Sequence, residues 1–208
     1  MNVETWLKRR LAEPIGLSGS IVRVSDTWSS DASNHRLAIR NAVGESLQAS
    51  TEHHAENLIR LQNLREIPRL FGHALSISHC PDLGGFVLAP QFDGSIGFDV
   101  EIAARITVPI AARVLPHASE SFLRDQLALA DASPIATSIW TAKEAAIKCF
   151  GNAFADRNLN YTNVELIKLE PDFESGFSFT ARFETHLATG LLATLEHRIF
   201  ALGKKVRQ

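Results

Sequence analysis

Hydrophobic and polar positions alternate most strictly at Ile96-Gly97-Phe98-Asp99-Val100-Glu101-Ile102. Ile96, Phe98, Val100 and Ile102 fall on one face of a strand, and Gly97, Asp99 and Glu101 on the other. A different period follows downstream. Ile135, Ile139, Ala142, Ala146, Ile147 and Phe150 form a stripe at helical spacing over 134–150, with Ser133 placed to cap it and Pro134 at its first position. Similar reasoning predicts a short helix over 4–12, a strand over 21–24, and helices over 35–48 and 52–65. Ala74 to His79 reads as a strand with Phe86–Ala89 as its hairpin partner. Pro90 to Gly94 separates that hairpin from the strand at Ile96. Helical stretches over 110–115 and 119–130 precede the 134–150 helix, and strands over 164–169, 177–183 and 197–202 close the chain.

Each half thus runs from helices to strands, which predicts an α+β fold of two similarly built lobes. Residues 1–90 form the N-terminal lobe and 91–208 the C-terminal lobe, the latter carrying the chemistry-bearing segments. At 208 residues the chain can bury a substantial core. The 45% hydrophobic and 21% charged content is that of an ordinary globular protein. A net charge of −2 gives no electrostatic case for nucleic acid or a membrane surface. Cys80 and Cys149 are isolated, and the opening residues have no apolar leader run, so the expectation is a reducing, cytoplasmic setting. With neither a CxxC nor an HExxH, nothing supports zinc.

Two carboxylates two residues apart on a strand, Asp99 and Glu101, point the same way. They raise one another's pKa unless a cation lies between them. Glu144 and Lys148, one helical turn apart in Lys143-Glu144-Ala145-Ala146-Ile147-Lys148, offer a third carboxylate and, with Lys143, two ammonium groups. Three acidic groups for a hard cation, beside cations for anionic oxygens, are the equipment for handling a polyphosphate. Magnesium suits an all-oxygen donor set. Ser78 and His79 are neighbours on a strand and face opposite ways, which disfavours a nucleophile–base pair. Arg36 and Arg40, one turn apart, read equally as solvated helix charges or as phosphate ligands.

Gly97-Phe98-Asp99-Val100-Glu101 with Arg105, then Trp140-Thr141-Ala142-Lys143-Glu144-Ala145-Ala146-Ile147-Lys148, resemble the two signatures of the 4′-phosphopantetheinyl transferase superfamily. Leu75-Ser76-Ile77-Ser78-His79 resembles a third element, a hydrophobic strand ending in Ser-His. The similarity runs from about Gly72 to Leu169.

The length favours the two-lobed, surfactin-type class. This resemblance implies pseudo-two-fold related lobes in a monomer, with the active site in the cleft between them. It implies transfer of the phosphopantetheine arm of coenzyme A to a serine of an acyl or peptidyl carrier protein, releasing 3′,5′-ADP, in fatty acid, polyketide or nonribosomal peptide synthesis. Asp99, Glu101 and Glu144 would hold Mg²⁺. Glu144 and Lys148 would be catalytic. His73, Ser78, His79, Asp99, Lys143, Lys148 and Arg36 would bind coenzyme A. Family members carry Gly-Lys-Pro where this chain has Gly72-His73-Ala74, and often Gly-Lys-Gly where it has Gly151-Asn152-Ala153. The alternative is a non-catalytic descendant that binds carrier protein or nucleotide as a scaffold.

Overall fold

The structure is a computed structural model that describes residues 2–51, 72–90, 95–128, 133–151, 159–172 and 176–206. The helix expected over 52–65 lies outside the described residues. Among the described residues the strands form two antiparallel sheets. β1 (Ile21–Ser25), β2 (His73–Cys80) and β3 (Leu83–Pro90) make the first, in the order β1-β3-β2. The second contains β4 (Ile96–Ile102), β5 (Glu165–Asp172), β6 (Gly176–Phe183), β7 (His186–Leu195) and β8 (Arg198–Lys205), in the order β4-β8-β7-β6-β5. The fold is therefore α+β, with the first sheet drawn wholly from residues before 91 and the second wholly from residues after.

The helices cover these sheets. α1 (Val3–Leu7) continues into a π turn over Lys8–Ala12, and α2 (His35–Thr51) packs on the first sheet. α2 buries Ile39, Ala42, Val43 and Leu47 against Leu75, Phe86 and Leu88, while Leu37 is exposed. α3 (Val108–Arg113) and α4 (Ser121–Ala128) precede α5 (Ser133–Gly151), the long helix predicted over 134–150. Ile139, Ala142, Ala146 and Phe150 of α5 are buried against Phe179, Ala181, Ala201 and neighbouring residues of the second sheet.

The boundary near residue 90 does not divide the core. One apolar cluster joins Leu7 and Leu11 of the N-terminal helix, Ala74, Val87 and Ala89 of the first sheet, and Phe98, Val100, Leu191 and Phe200 of the second. Both faces of the second sheet's centre are thereby covered, the other by α5. β7 was missed by its pattern for this reason. Leu191 and Ala193 enter the shared cluster while Ala188 and Leu192 face the α5 side, so hydrophobic residues fall on both faces and no alternation survives.

Candidate active site

Two edges meet at the site. β2 and β4 lie side by side, joined through side chains: Ser76 Oγ accepts the Phe98 N–H at 2.8 Å, and Ser78 Oγ donates to Asp99 Oδ1 at 2.6 Å. The face of β4 bearing Gly97, Asp99 and Glu101 is roofed by α5. A Cβ on Gly97 would stand 1.8 Å from the Ala145 carbonyl oxygen. The room that the glycine makes is thus filled by the main chain of α5, and this close approach carries Glu144 and Lys148 over the strand's carboxylates. Those carboxylates, expected on a polar strand face, are buried: Asp99 is 3% exposed and Glu101 9%.

Each of the three carboxylates has a protein partner of its own. Asp99 Oδ1 accepts from Ser78 and also from Lys148 Nζ at 2.8 Å. Glu101 pairs with Arg105 at 2.8 Å. Glu144 Oε1 accepts from the Tyr161 hydroxyl. Among the described residues no three His, Cys, Asp or Glu side chains stand close enough together to hold a metal ion. In this arrangement Lys148, Arg105 and Tyr161 each take an oxygen of Asp99, Glu101 and Glu144 respectively.

The carboxylates still act on one another. Burial, then the charges of Asp99 and Glu101, push Glu144 up to about 7 against the pull of Lys148. Burial and Asp99 raise Glu101 as well, opposed by Arg105. Asp99 Oδ2 is buried and has no hydrogen-bond partner among the described residues. An orphaned carboxylate oxygen beside two carboxylates with raised pKa values supplies the all-oxygen chemistry that a hard divalent cation takes, although the three groups are not drawn together in this arrangement.

Lys148 sits at the centre. Its ammonium donates to Phe98 O at 3.0 Å and to Asp99, so that among the described residues one of its three N–H groups is left for a further acceptor, at a side chain 26% exposed. His79 follows Ser78 on β2 and faces outward, its ring edge-on to His35 at 4.9 Å. Partial burial first, then the charges of His35, Lys148 and Arg36, hold His79 below the ordinary imidazole value. Arg36, exposed in the first turn of α2, thus belongs to the same positive region as His79 and Lys148.

Two expected phosphate ligands lie elsewhere. His73 is buried at the far end of β2, opposite Pro90 and about 17 Å from Ser78 at strand spacing. Lys143 is fully buried, because adjacent helix positions lie 100° apart and Lys143 faces the interior when Glu144 faces the strand. Its ammonium pairs with the equally buried Glu120 at 2.6 Å and donates to the carbonyls of Val114 and Tyr161. Burial lowers the Lys143 pKa, and Glu120 opposes the shift.

Tyr161 was missed from the sequence. It is the chain's single tyrosine, and it stacks on Trp140 at a centroid distance of 4.6 Å. Its nearest sequence signal was Trp140, an aromatic one turn before Glu144.

The model of the 4′-phosphopantetheinyl transferase superfamily matches residues 95–199, just over half of the chain. The chain belongs to the 4′-phosphopantetheinyl transferase superfamily. The matched span opens at Ser95, just before β4, and takes in Asp99, Glu101, Glu144, Lys148 and Tyr161. The first sheet, with Ser78 and His79, precedes it. No curated protein matches the chain. Superfamily membership implies phosphopantetheinyl transfer as the general chemistry. No described helix is long and apolar enough to cross a membrane.

Proposed function

We propose that this protein transfers the 4′-phosphopantetheine group of coenzyme A to a serine hydroxyl of an acyl or peptidyl carrier protein, in a Mg²⁺-dependent reaction that releases 3′,5′-ADP. The observation that carries this reading is the β4–α5 juxtaposition inside the matched span. Glu144, at about 7, and the orphaned Asp99 Oδ2 flank the ammonium of Lys148 there.

Asp99, Glu101 and Glu144 are the residues that would hold the cation. Bound there, Mg²⁺ supplies neutralising charge for the pyrophosphate oxygens. The serine oxygen forms a bond to the β-phosphorus, and the bond from that phosphorus to the bridging oxygen breaks. The bridging oxygen leaves on the α-phosphate of 3′,5′-ADP. Glu144 takes the serine proton; burial and its acidic neighbours, which raise it to about 7 without a cation, make it a stronger base than an ordinary carboxylate. Lys148 offers its remaining N–H to the phosphate oxygens that gain charge as the bond breaks. His79 and Arg36 provide positive charge for the nucleotide phosphates. Two sheets meeting along β2 and β4, in a chain of this length, support assignment to the two-lobed class, acting as a monomer.

The placement of His73 and Lys143 favours the rival reading of a non-catalytic, carrier- or nucleotide-binding scaffold, since two expected phosphate ligands do not reach the site. Incubation with coenzyme A, Mg²⁺ and apo-carrier proteins separates the two by the mass of the carrier. A phosphopantetheine addition that chelation of Mg²⁺ abolishes supports the transferase. Carrier binding without any addition supports the scaffold.

A further inference from the structure

Tyr161 is held from three directions. Its ring stacks on Trp140 at 4.6 Å with 27° between the planes. Its hydroxyl donates to Glu144 Oε1. Its main-chain carbonyl accepts from Lys143 Nζ at 3.2 Å. Trp140, Lys143 and Glu144 all belong to α5, so one residue from outside the helix is fixed by the helix that carries the candidate base.

The Lys143 end of this arrangement is costly for a protein to keep. Both members of the Lys143–Glu120 pair are fully buried, and a buried ion pair is often no more stabilising than an apolar pair of the same volume. An apolar pair, however, has no donor for the Tyr161 carbonyl. Glu120 is anchored in turn: its oxygens accept the N–H groups of Leu166 at 2.9 Å and His117 at 3.1 Å. The pair therefore ties the start of β5 and the turn before α4 to α5, at the level where Tyr161 meets Glu144.

We propose that Tyr161 is a positioning residue for the transfer reaction, its hydroxyl holding Glu144 Oε1 so that the carboxylate is fixed in orientation and its second oxygen is left for the cation and the serine, with Lys143–Glu120 as the buried post that sets Tyr161's main chain. This inference rests on the transferase reading above. It gives Lys143 a role in orienting the site in place of phosphate binding.

Tyr161→Phe removes the hydroxyl and keeps the ring on Trp140. The variant should melt within about 2 °C of wild type, because one partly exposed hydrogen bond is lost and no packing. Its kcat should fall by about ten- to a hundredfold, the range for losing a hydrogen bond to a charged group, with KM for coenzyme A little changed. Tyr161→Leu should lose a similar factor in kcat and also melt lower, since the stack on Trp140 goes with it. Adding Tyr161→Phe to Glu144→Gln should cost less than about threefold, because the group through which Tyr161 acts has already been neutralised. Three results would overturn the inference alone, given an active wild type. They are a Tyr161→Phe variant with wild-type kcat, one that melts as low as Tyr161→Leu, and a full multiplicative loss in the Glu144→Gln background. A folded wild type that modifies no carrier would overturn the transferase reading, and this inference with it.

Discussion

Gly97→Ala tests the contact that assembles the site. The added Cβ would stand 1.8 Å from the Ala145 oxygen and 2.8 Å from both the Ala145 carbonyl carbon and the Cys149 nitrogen. All three are main-chain atoms of α5, so no side-chain rotation relieves the overlap. The closest favourable carbon–oxygen contacts lie at about 3.3 Å, so the helix must retreat by about 1.5 Å. Lys148 rides on that helix, and its 2.8 Å contact with Asp99 would open beyond hydrogen-bonding distance. Overpacking a core costs about 1–3 kcal/mol when neighbours can shift, so a main-chain clash should cost at least about 3 kcal/mol. For a chain of this size that corresponds to a fall in Tm of about 6–12 °C. Thermal and urea unfolding followed by circular dichroism would measure it, with carrier modification assayed in parallel. A variant within about 0.5 kcal/mol of wild type would refute the view that β4 and α5 are in contact through this glycine.

Four further outcomes are expected. In the folded, metal-free protein Glu144 gives up its proton around pH 7, while in the unfolded chain it ionises near 4.5. Its contribution to stability therefore falls as pH rises through that window, and Glu144→Gln should gain stability over wild type at pH 8 but not at pH 4 in metal-free buffer. Denaturant titrations at the two pH values check this, and an equal difference at both would contradict it. Lys143→Met leaves the fully buried Glu120 without its cation and should cost about 3–5 kcal/mol, measured by chemical denaturation; a change below about 1 kcal/mol would show the pair to be replaceable one partner at a time. Lys148→Ala should lower kcat at least tenfold, about the least expected for removing a donor to developing charge. Lys168→Ala, whose pair with Glu170 is exposed, should change stability by less than about 1 kcal/mol and leave kcat alone.

Much of the second half was legible because local periodicity and tertiary environment agree there. The α5 stripe at Ile139, Ala142, Ala146 and Phe150 meets the core as its spacing predicts. β4 alternates as its sequence does, with Phe98 and Val100 in the shared cluster and Asp99 and Glu101 beneath α5. β7 was not legible. Its two faces are both buried, and the hairpins on either side turn through Glu184 and Glu196 at positive φ, where a pattern reader looks for Asn-Gly or Asp-Gly.

By itself the sequence determined the α+β class, the extents of β4 and α5, the superfamily, and the residue types that meet at the site, because strand and helix periods act over a few neighbouring positions. Only the tertiary structure decided which of those residues meet. Lys143 and Glu144 are adjacent in the chain, yet the turn of α5 sends one to Glu120 in the interior and the other to the β4 carboxylates. His73 and His79 share one strand, and its length sets them at opposite ends. Tyr161 lies seventeen residues past Glu144 and reaches it through a bond that no local pattern encodes. Burial, which raises Glu144 to about 7, is likewise a property of the packed whole, since it depends on how closely α5 can lie on Gly97.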